Sequence, residues 1–398
     1  MERRGSQLKG TLVAVVGIVA CGVLGYLVVR HVALRRQMGA MEVPYIWDAE
    51  ELARLARKEN PEVKVVLTGE KGLWDREGGP RVELVWDKVL GSCDDTAYAG
   101  AGGGVNYMAV APTGEWYVVF SRYGELKKFD REGRVAWVIG GRGGAPGQLA
   151  MPMGVAFDPE GNVCVVEAGN KRVSVFTPSG EFVRSVRLDP LGWPLSFAID
   201  SAGFYYVSWY DEREDKVIHK YDPEGKRVLS FGEPVRFREP LQGAGWSLRR
   251  MISCGPILAS GKFLYYGQGN PYEVRRYLQD GQLTMLIVRK NSFMEPARLR
   301  LSRDGRAIQL GGYSRVSRLG IWGDKVVSVV WLTPGSDQKP RSVLDVFASD
   351  GRLLTHAAPP SLFSVAAFDA EGRIWGAIGR ESGDCLQSLG RITARERR

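Results

Sequence analysis

Three histidines (His31, His219 and His356) and five cysteines (Cys21, Cys93, Cys164, Cys254 and Cys385) are the chain's whole stock of imidazoles and thiols. No Cys-x-x-Cys pair occurs, so neither a zinc ribbon nor a redox dithiol is indicated. Three histidines are too few for a zinc site built mainly from imidazoles. No Gly-x-Ser-x-Gly elbow is present, and a Ser-His-Asp triad would have to use His219 or His356, both in strand-like outer segments. Cys93 stands beside Asp94 and Asp95. That setting could suggest a reactive thiol, but Cys93 reads as an ordinary loop cysteine. The glycine-rich loops at 100–104 (GAGGG) and 140–147 (GGRGGAPG) do not continue into Gly-Lys-Ser/Thr. Neither opens a helix, so both are expected to lead into inner strands and not to cradle phosphate.

The net charge of +9 invites a nucleic-acid reading until it is placed along the chain. Residues 1–40 carry Arg3, Arg4, Lys9, Arg30, Arg35 and Arg36 against Glu2, and residues 391–398 carry Arg391, Arg395, Arg397 and Arg398 against Glu396. The body between is almost neutral, so composition does not force a phosphate-binding face. One local cluster, Arg298, Arg300, Arg303, Arg306, Arg315 and Arg318 against Asp304, is expected to form a solvated rim.

The elements that must position any site repeat along the chain. In 155–186, VAFDPEGNVCVVEAGNKRVSVFTPSGEFVRSV, glycine turns at Gly161 and Gly180 punctuate Val- and Phe-rich runs. Similar turn pairs recur at Gly114 and Gly133, Gly203 and Gly225, Gly261 and Gly281, and Gly323 and Gly351, and a last copy begins at Gly372. Repeats of roughly 40–50 residues with four strands each indicate propeller blades, because a four-stranded sheet buries its faces only against neighbours. Both alternating sets of GNVCVVEAG are apolar. Val163 and Val165 are expected to face one neighbour, and Cys164 and Val166 the other.

The predicted fold is all-β, a six-bladed propeller over 81–393. The sixth copy lacks an evident fourth strand, and RVELVWDKVL (81–90) is expected to supply it and close the ring. The segment 297–313 fits no blade and is read as a rim insertion or hairpin. Cys93 and Cys385 fall near the seam, where a disulfide is conceivable.

Ahead of the propeller, residues 1–10 form a basic flank, and 11–29 (TLVAVVGIVACGVLGYLVV) run 19 residues without a charge. As a helix this run spans about 28 Å at ~1.5 Å per residue, close to a bilayer's hydrocarbon thickness. Arg3, Arg4, Lys9, Arg30, Arg35 and Arg36 would sit at the two interfaces and leave the orientation undecided by charge. An uncleaved transmembrane anchor is the preferred reading. A lipoprotein box ending at Cys21 and an ordinary cleaved signal remain alternatives. Residues 30–80 are read as a juxtamembrane stalk with a short helix over 48–59 capped by Asp48, and 394–398 as a basic tail.

The run 141–186 resembles an NHL-repeat blade of a bacterial six-bladed β-propeller. Gly143, Pro146, Gly147, Pro152, Asp158, Gly161, Asn170, Arg172, Val173, Phe176 and Gly180 carry the resemblance. Glu167 stands where family members usually have Asp, and Gln148 where they have Glu. The resemblance implies structural roles for Gly114, Gly161, Gly180, Gly203 and Gly372 in turns, and for Asn170 and Arg172 as ties between loops. Propellers resembling lactonases and lyases hold an axial divalent metal, for which the candidates here would be Asn106, Glu167 and Asp200. No catalytic residue and no cofactor are expected. The favoured function is a membrane-anchored, non-enzymatic scaffold or accessory subunit. It would bind a protein partner in an integral membrane complex, conceivably an energy-transducing one. It would sit in a bacterial inner membrane with the propeller in the periplasm, since similar propellers are generally exported. The alternatives are a lactonase- or lyase-like metalloenzyme and an RNA-binding NHL protein; the neutral body disfavours the latter.

Overall fold

The computed structural model describes residues 43–397 except 78, 91–106, 239–244, 291–292, 302–306, 312, 334–340, 360–362, 370 and 379–387. The apolar run 11–29, its flanking basic residues, Cys21, Cys93, Asn106 and Cys385 lie outside the described residues. Among the described residues no helix is long and apolar enough to cross a membrane.

Helix α1 (Ala49–Glu59) leads to strands β1 (Lys64–Thr68) and β2 (Arg81–Leu90). Antiparallel sheets then follow in chain order. The first holds β3 (Tyr107–Val110), β4 (Trp116–Phe120), β5 (Glu125–Phe129) and β6 (Val135–Gly140). The second holds β7 (Pro152–Phe157), β8 (Val163–Glu167), β9 (Arg172–Phe176) and β10 (Phe182–Arg187). The third holds β11 (Ser196–Ile199), β12 (Tyr205–Asp211), β13 (Lys216–Tyr221) and β14 (Arg227–Phe231). Helix α2 (Gly245–Ser253) precedes β15 (Ile257–Ser260), β16 (Phe263–Gln268), β17 (Glu273–Leu278) and β18 (Leu283–Arg289). A two-stranded hairpin, β19 (Leu299–Leu301) and β20 (Ala307–Leu310), occupies the segment expected as an insertion. Then come β21 (Arg315–Trp322), β22 (Lys325–Leu332), β23 (Arg341–Phe347) and β24 (Leu353–Ala357), and finally β25 (Phe363–Phe368), β26 (Ile374–Ile378) and β27 (Ser388–Arg397).

The fold is an all-β propeller. The expectation of six four-stranded blades needs correction: five sheets have four strands, and the sheet of β15–β18 has five, because β1 adds to β18 in parallel. The predicted closing strand is in place, with β2 pairing antiparallel to β27 from Arg81↔Arg397 to Leu90↔Leu389. That ladder corrects the domain boundary, since the expected basic tail belongs to β27 and the sheet runs to Arg397.

Local chemistry makes the hairpins. Asp130, Asp158, Asp200, Asp222 and Asp369 each begin an Asp-x-x-Gly turn. In each, a carboxylate oxygen accepts a backbone N–H further round the turn, for example Asn162 N to Asp158 Oδ1 at 2.7 Å. Gly114, Gly161, Gly180, Gly203 and Gly372 all have φ between 76° and 95°, a region that glycine adopts without steric cost. Val163 and Val165 join the core with the first sheet, and Cys164 and Val166 the core with the third, as the alternation predicts. Comparable cores lie between each pair of successive sheets and between the last and the first.

From residue 43 the segment read as a juxtamembrane stalk is bound to the propeller's outside. Asp48 caps α1 by accepting Glu51 N at 2.8 Å, and Glu50 and Glu51 stand in the first turn with Arg57 and Lys58 in the last. The apolar face, Leu52, Ala53 and Ala56, packs on Leu286 and Val288 of β18. Further along, Leu73 N donates to Leu353 O at 3.0 Å and Trp74 N to Leu354 O at 2.7 Å, on the outer edge of β24. The backbone approach there is so close that a Cβ on Gly72 would lie 2.1 Å from the Leu354 carbonyl oxygen. The arm then becomes β2 on the next sheet. Three successive sheet edges are thus covered by one chain segment, which leaves fewer unpaired backbone groups on the rim.

The arm's first clamp is Tyr45, 1% exposed. Its hydroxyl donates to Asn270 Oδ1 at 2.5 Å and accepts from Ala297 N at 2.7 Å. Tyr45→Phe leaves both partners buried and unmatched. It is expected to cost about 1–3 kcal/mol and to speed protease cleavage near residues 43–60, read by gel and mass spectrometry. Unchanged stability and cleavage would show that the clamp contributes nothing.

Candidate functional site

The first strands of the sheets, β3, β7, β11, β15, β21 and β25, surround an axial cavity of about 560 Å³. Its polar lining includes Tyr107, Ser196, Arg318 and Asp369. Asp369 is committed elsewhere: Oδ2 accepts Arg373 Nε at 2.7 Å and Trp375 Nε1 at 3.0 Å, and Oδ1 caps its own turn. Ser196 Oγ accepts Ile257 N at 3.0 Å. Arg318 brings a cation to the axis, which corrects its assignment to a solvated rim. Burial pulls its pKa down to about 10; Tyr107 opposes that shift and neighbouring Arg315 adds to it. Burial also pushes the Tyr107 phenol upward, and Arg318 and Arg315 hold it back. A guanidinium and a phenol lining this cavity favour anions over cations.

Of the sequence candidates for an axial metal, Glu167 and Asp200 do not line this cavity. Asn106 lies outside the described residues. Glu167, 0% exposed, ends β8 and is absorbed by its own blade. Its carboxylate accepts Ala150 N at 2.7 Å, Asn170 Nδ2 at 2.6 Å, Arg172 Nε at 2.8 Å and Ser174 Oγ at 2.6 Å. Asp200 caps the β11–β12 turn and also accepts the Tyr206 hydroxyl at 2.9 Å. Glu167 thus accepts four hydrogen bonds and Asp200 three, which commits both carboxylates to their own blades. Asn170 and Arg172 extend from Glu167 to the carbonyls of Gly143, Gly144, Ala145 and Gln148, and Ala145 N donates to Gln148 Oε1. The buried acid therefore pins the glycine-rich loop to the blade.

A cluster that the sequence reading missed stands on the third sheet. Ligand-type atoms of Asp211, Glu214 and His219 lie within 4.8 Å of one another. The space a metal would take is spanned by Arg227, whose Nη1 is 2.8 Å from Asp211 Oδ2 and whose Nη2 contacts Glu214 Oε1. Both imidazole nitrogens are engaged, Nε2 with Trp209 O and Nδ1 with Ser230 Oγ, each at 3.0 Å. The cluster is an ion-pair knot. Next to it lies a cavity of about 400 Å³ lined by Leu191, Trp193, Trp209, Arg213 and Arg250 among others.

Burial lowers the His219 pKa to about 4 from 6.5; the hydrogen bond to Trp209 only partly offsets it. The neutral ring is the folded form, so its contribution is full above about pH 6.5 and lost as the pH falls toward 4. The expected loss is on the order of 2–3 kcal/mol, from ~1.4 kcal/mol per pKa unit. Asp211 acts in the same direction, since Arg227 and the Arg213 N–H outweigh burial and lower its pKa. Denaturant titrations at several pH values check this. The slope should flatten in His219→Gln, and an unchanged slope would remove His219 as the cause.

One family profile matches the chain, the NHL repeat, over residues 149–176. No curated protein matches it in sequence. Among solved structures it is similar to a member of the DUF4221 family from Bacteroides vulgatus, with TM-score 0.51 and 12% identity over 79% of this chain and 98% of that one. A putative exported protein from Bacteroides fragilis gives TM-score 0.53 and 9% identity over 84% of this chain and 100% of that one. A virginiamycin B lyase from Staphylococcus aureus gives TM-score 0.43 and 13% identity over 72% and 79%. At these identities the first two establish a shared propeller fold and nothing about activity.

Proposed function

We propose that the chain is a membrane-tethered, non-enzymatic propeller that docks a protein partner as a subunit of a membrane complex. In this reading residues 11–29 cross a bacterial inner membrane, the propeller sits in the periplasm, and the five-stranded sheet counts as its sixth blade. The carrying observation is the arm. Residues 43–90 are fastened across the outer edges of three successive sheets, so an anchor ahead of them would have only the residues before 43 as its tether. Only thirteen residues, 30–42, separate the apolar run from the described chain. At ~3.4 Å per residue they reach at most about 45 Å, which keeps the disk at the membrane surface. Rigid disks with exposed loops are suited to binding.

The acids that could serve hydrolytic or lyase chemistry in the described sites are already neutralised. Arginine takes up Glu167, Asp211, Asp345 and Asp369, and backbone N–H groups take up Asp200. The deciding experiment is purification of the full chain in mild detergent with mass spectrometry of what accompanies it. A stoichiometric partner is expected, and repeated recovery of the chain alone would defeat the proposal. Metal analysis of the same sample separates the metalloenzyme alternative, which requires about one divalent ion per chain.

A further inference from the structure

Antiparallel order gives the disk two unlike ends. The turns joining first to second and third to fourth strands share one end. The loops joining second to third strands, and the connections between sheets, share the other. Exposed acids stand at the hairpin end of every large sheet: Glu132, Glu160, Glu181, Glu224, Asp280, Asp324 and Glu371. Arg131, Arg134, Lys226, Lys262 and Arg352 are exposed cations in these same turns. Large exposed apolar side chains are distributed oppositely. Tyr123, Met151, Trp193, Leu195 and Met251, 36–44% exposed, all lie at the loop end, and Val138, Val183 and Val228 lie on outer strands. Among the described residues, none lies in a hairpin turn. Arg122, Arg142, Lys171, Arg213 and Arg250 are exposed among the loop-end residues, as are the acids Asp189, Glu212, Glu214, Glu233 and Glu295.

The arm joins the disk at the same loop end. Tyr45 is held by Asn270, in the β16–β17 loop, and by Ala297, in the connection after β18. Ile46 N donates to Arg236 O in the connection after β14 at 2.9 Å.

We infer that the loop end of the disk lies on the lipid headgroup layer of the bilayer that holds its anchor. Tyr123, Met151 and Trp193 would enter the interface, and the hairpin end, which has no large exposed apolar side chain among the described residues, would point away. This rests on the anchor reading above. Three independent features agree on one end: the arm joins there, aromatic and sulfur side chains protrude there, and arginines are interleaved with them. Aromatic and apolar side chains are favoured at headgroup depth, and arginine is favoured beside anionic lipid.

The test uses the full chain with Cys21, Cys93 and Cys385 replaced by Ser, leaving the buried Cys164 and Cys254. Single cysteines at Tyr123→Cys, Trp193→Cys, Glu160→Cys and Glu224→Cys carry an environment-sensitive fluorophore. The protein is reconstituted into phosphatidylcholine–phosphatidylglycerol vesicles with brominated lipid. Quenching at 123 and 193 should exceed that at 160 and 224 by about twofold or more, as expected for headgroup-depth probes. Equal quenching at both ends, or stronger quenching at the hairpin end, overturns the inference while the anchor stands. Release of the chain from membranes by alkaline carbonate overturns the anchor reading itself. Shielding of 123 and 193 from aqueous quencher in native membranes, without quenching by bromolipid, assigns this end to a protein and overturns the lipid assignment.

Discussion

Arg289→Met is expected to destabilise the protein by about 3–5 kcal/mol, the cost of leaving a buried charge without its partner. Arg289 is 1% exposed and Asp345 0%, and their Nε–Oδ2 distance is 3.0 Å. The other carboxylate oxygen lies 2.6 Å from His356 Nδ1. The same guanidinium donates to Lys290 O at 2.8 Å, to Glu70 O at 3.0 Å and to Gly69 O. One side chain therefore neutralises a core acid and ties the arm to the β18 edge. Burial pushes the Asp345 pKa upward, yet His356 and Arg289 together hold it below the usual carboxylate value. In the parent protein this contribution is present at neutral pH and lost as the pH falls through the lowered pKa. In the variant, protonating Asp345 relieves the unpaired charge. The difference between the two proteins should then shrink toward pH 4. Denaturant melts across pH, with hydrogen exchange of residues 64–75 as a local readout, check both parts. A pH-independent difference would show that the loss comes from packing alone. Arg289→Met with Asp345→Leu should recover much of the stability without restoring exchange protection in 69–71.

Trp116→Ala is expected to cost about 3–5 kcal/mol and to open the seam where the last sheet meets the first. Trp116 is 0% exposed; its ring lies 4.9 Å from Phe129 and 5.0 Å from Trp375, and its Nε1 donates to Asp130 O at 2.9 Å. Trp375 comes from β26, so this stack joins the ends of the ring. The cavity left behind would sit beside Met108, Val118 and Ala367, across both sheets. Trp116→Phe keeps most of the apolar volume and should lose roughly 1–2 kcal/mol. Thermal and denaturant unfolding measure the pair. Equal losses for Ala and Phe would show that the indole hydrogen bond, not seam packing, dominates.

The repeat, its turns and the two-sided burial of its second strands were legible because their causes are local. Asp158 and Gly161 build a turn within five residues, and Val163 to Val166 alternate between neighbours by the strand's own period of two. The closing strand at 81–90 was legible for a related reason: an incomplete last copy and an orphan strand can satisfy only each other. The NHL-like ties of Asn170 and Arg172 followed from resemblance, although their common acceptor, Glu167, looked like an axial ligand. Whether a carboxylate at a strand end turns to the axis or into its own blade depends on what surrounds it, and those neighbours come from loops 17 residues before it and strands after it.

The sequence alone determined the four-stranded unit, its count of turns and its need for stacked neighbours, since these follow from side-chain period and backbone sterics. Tertiary structure alone decided where the arm lies, which arginine meets which acid, and which end of the disk carries its apolar side chains. Outer sheet edges offer the same unpaired N–H and C=O groups whatever their sequence, so nothing local tells residues 64–75 which edges to cover. Arg289 and Asp345 are 56 residues apart, and only the packing of one blade on the next removes the water between them.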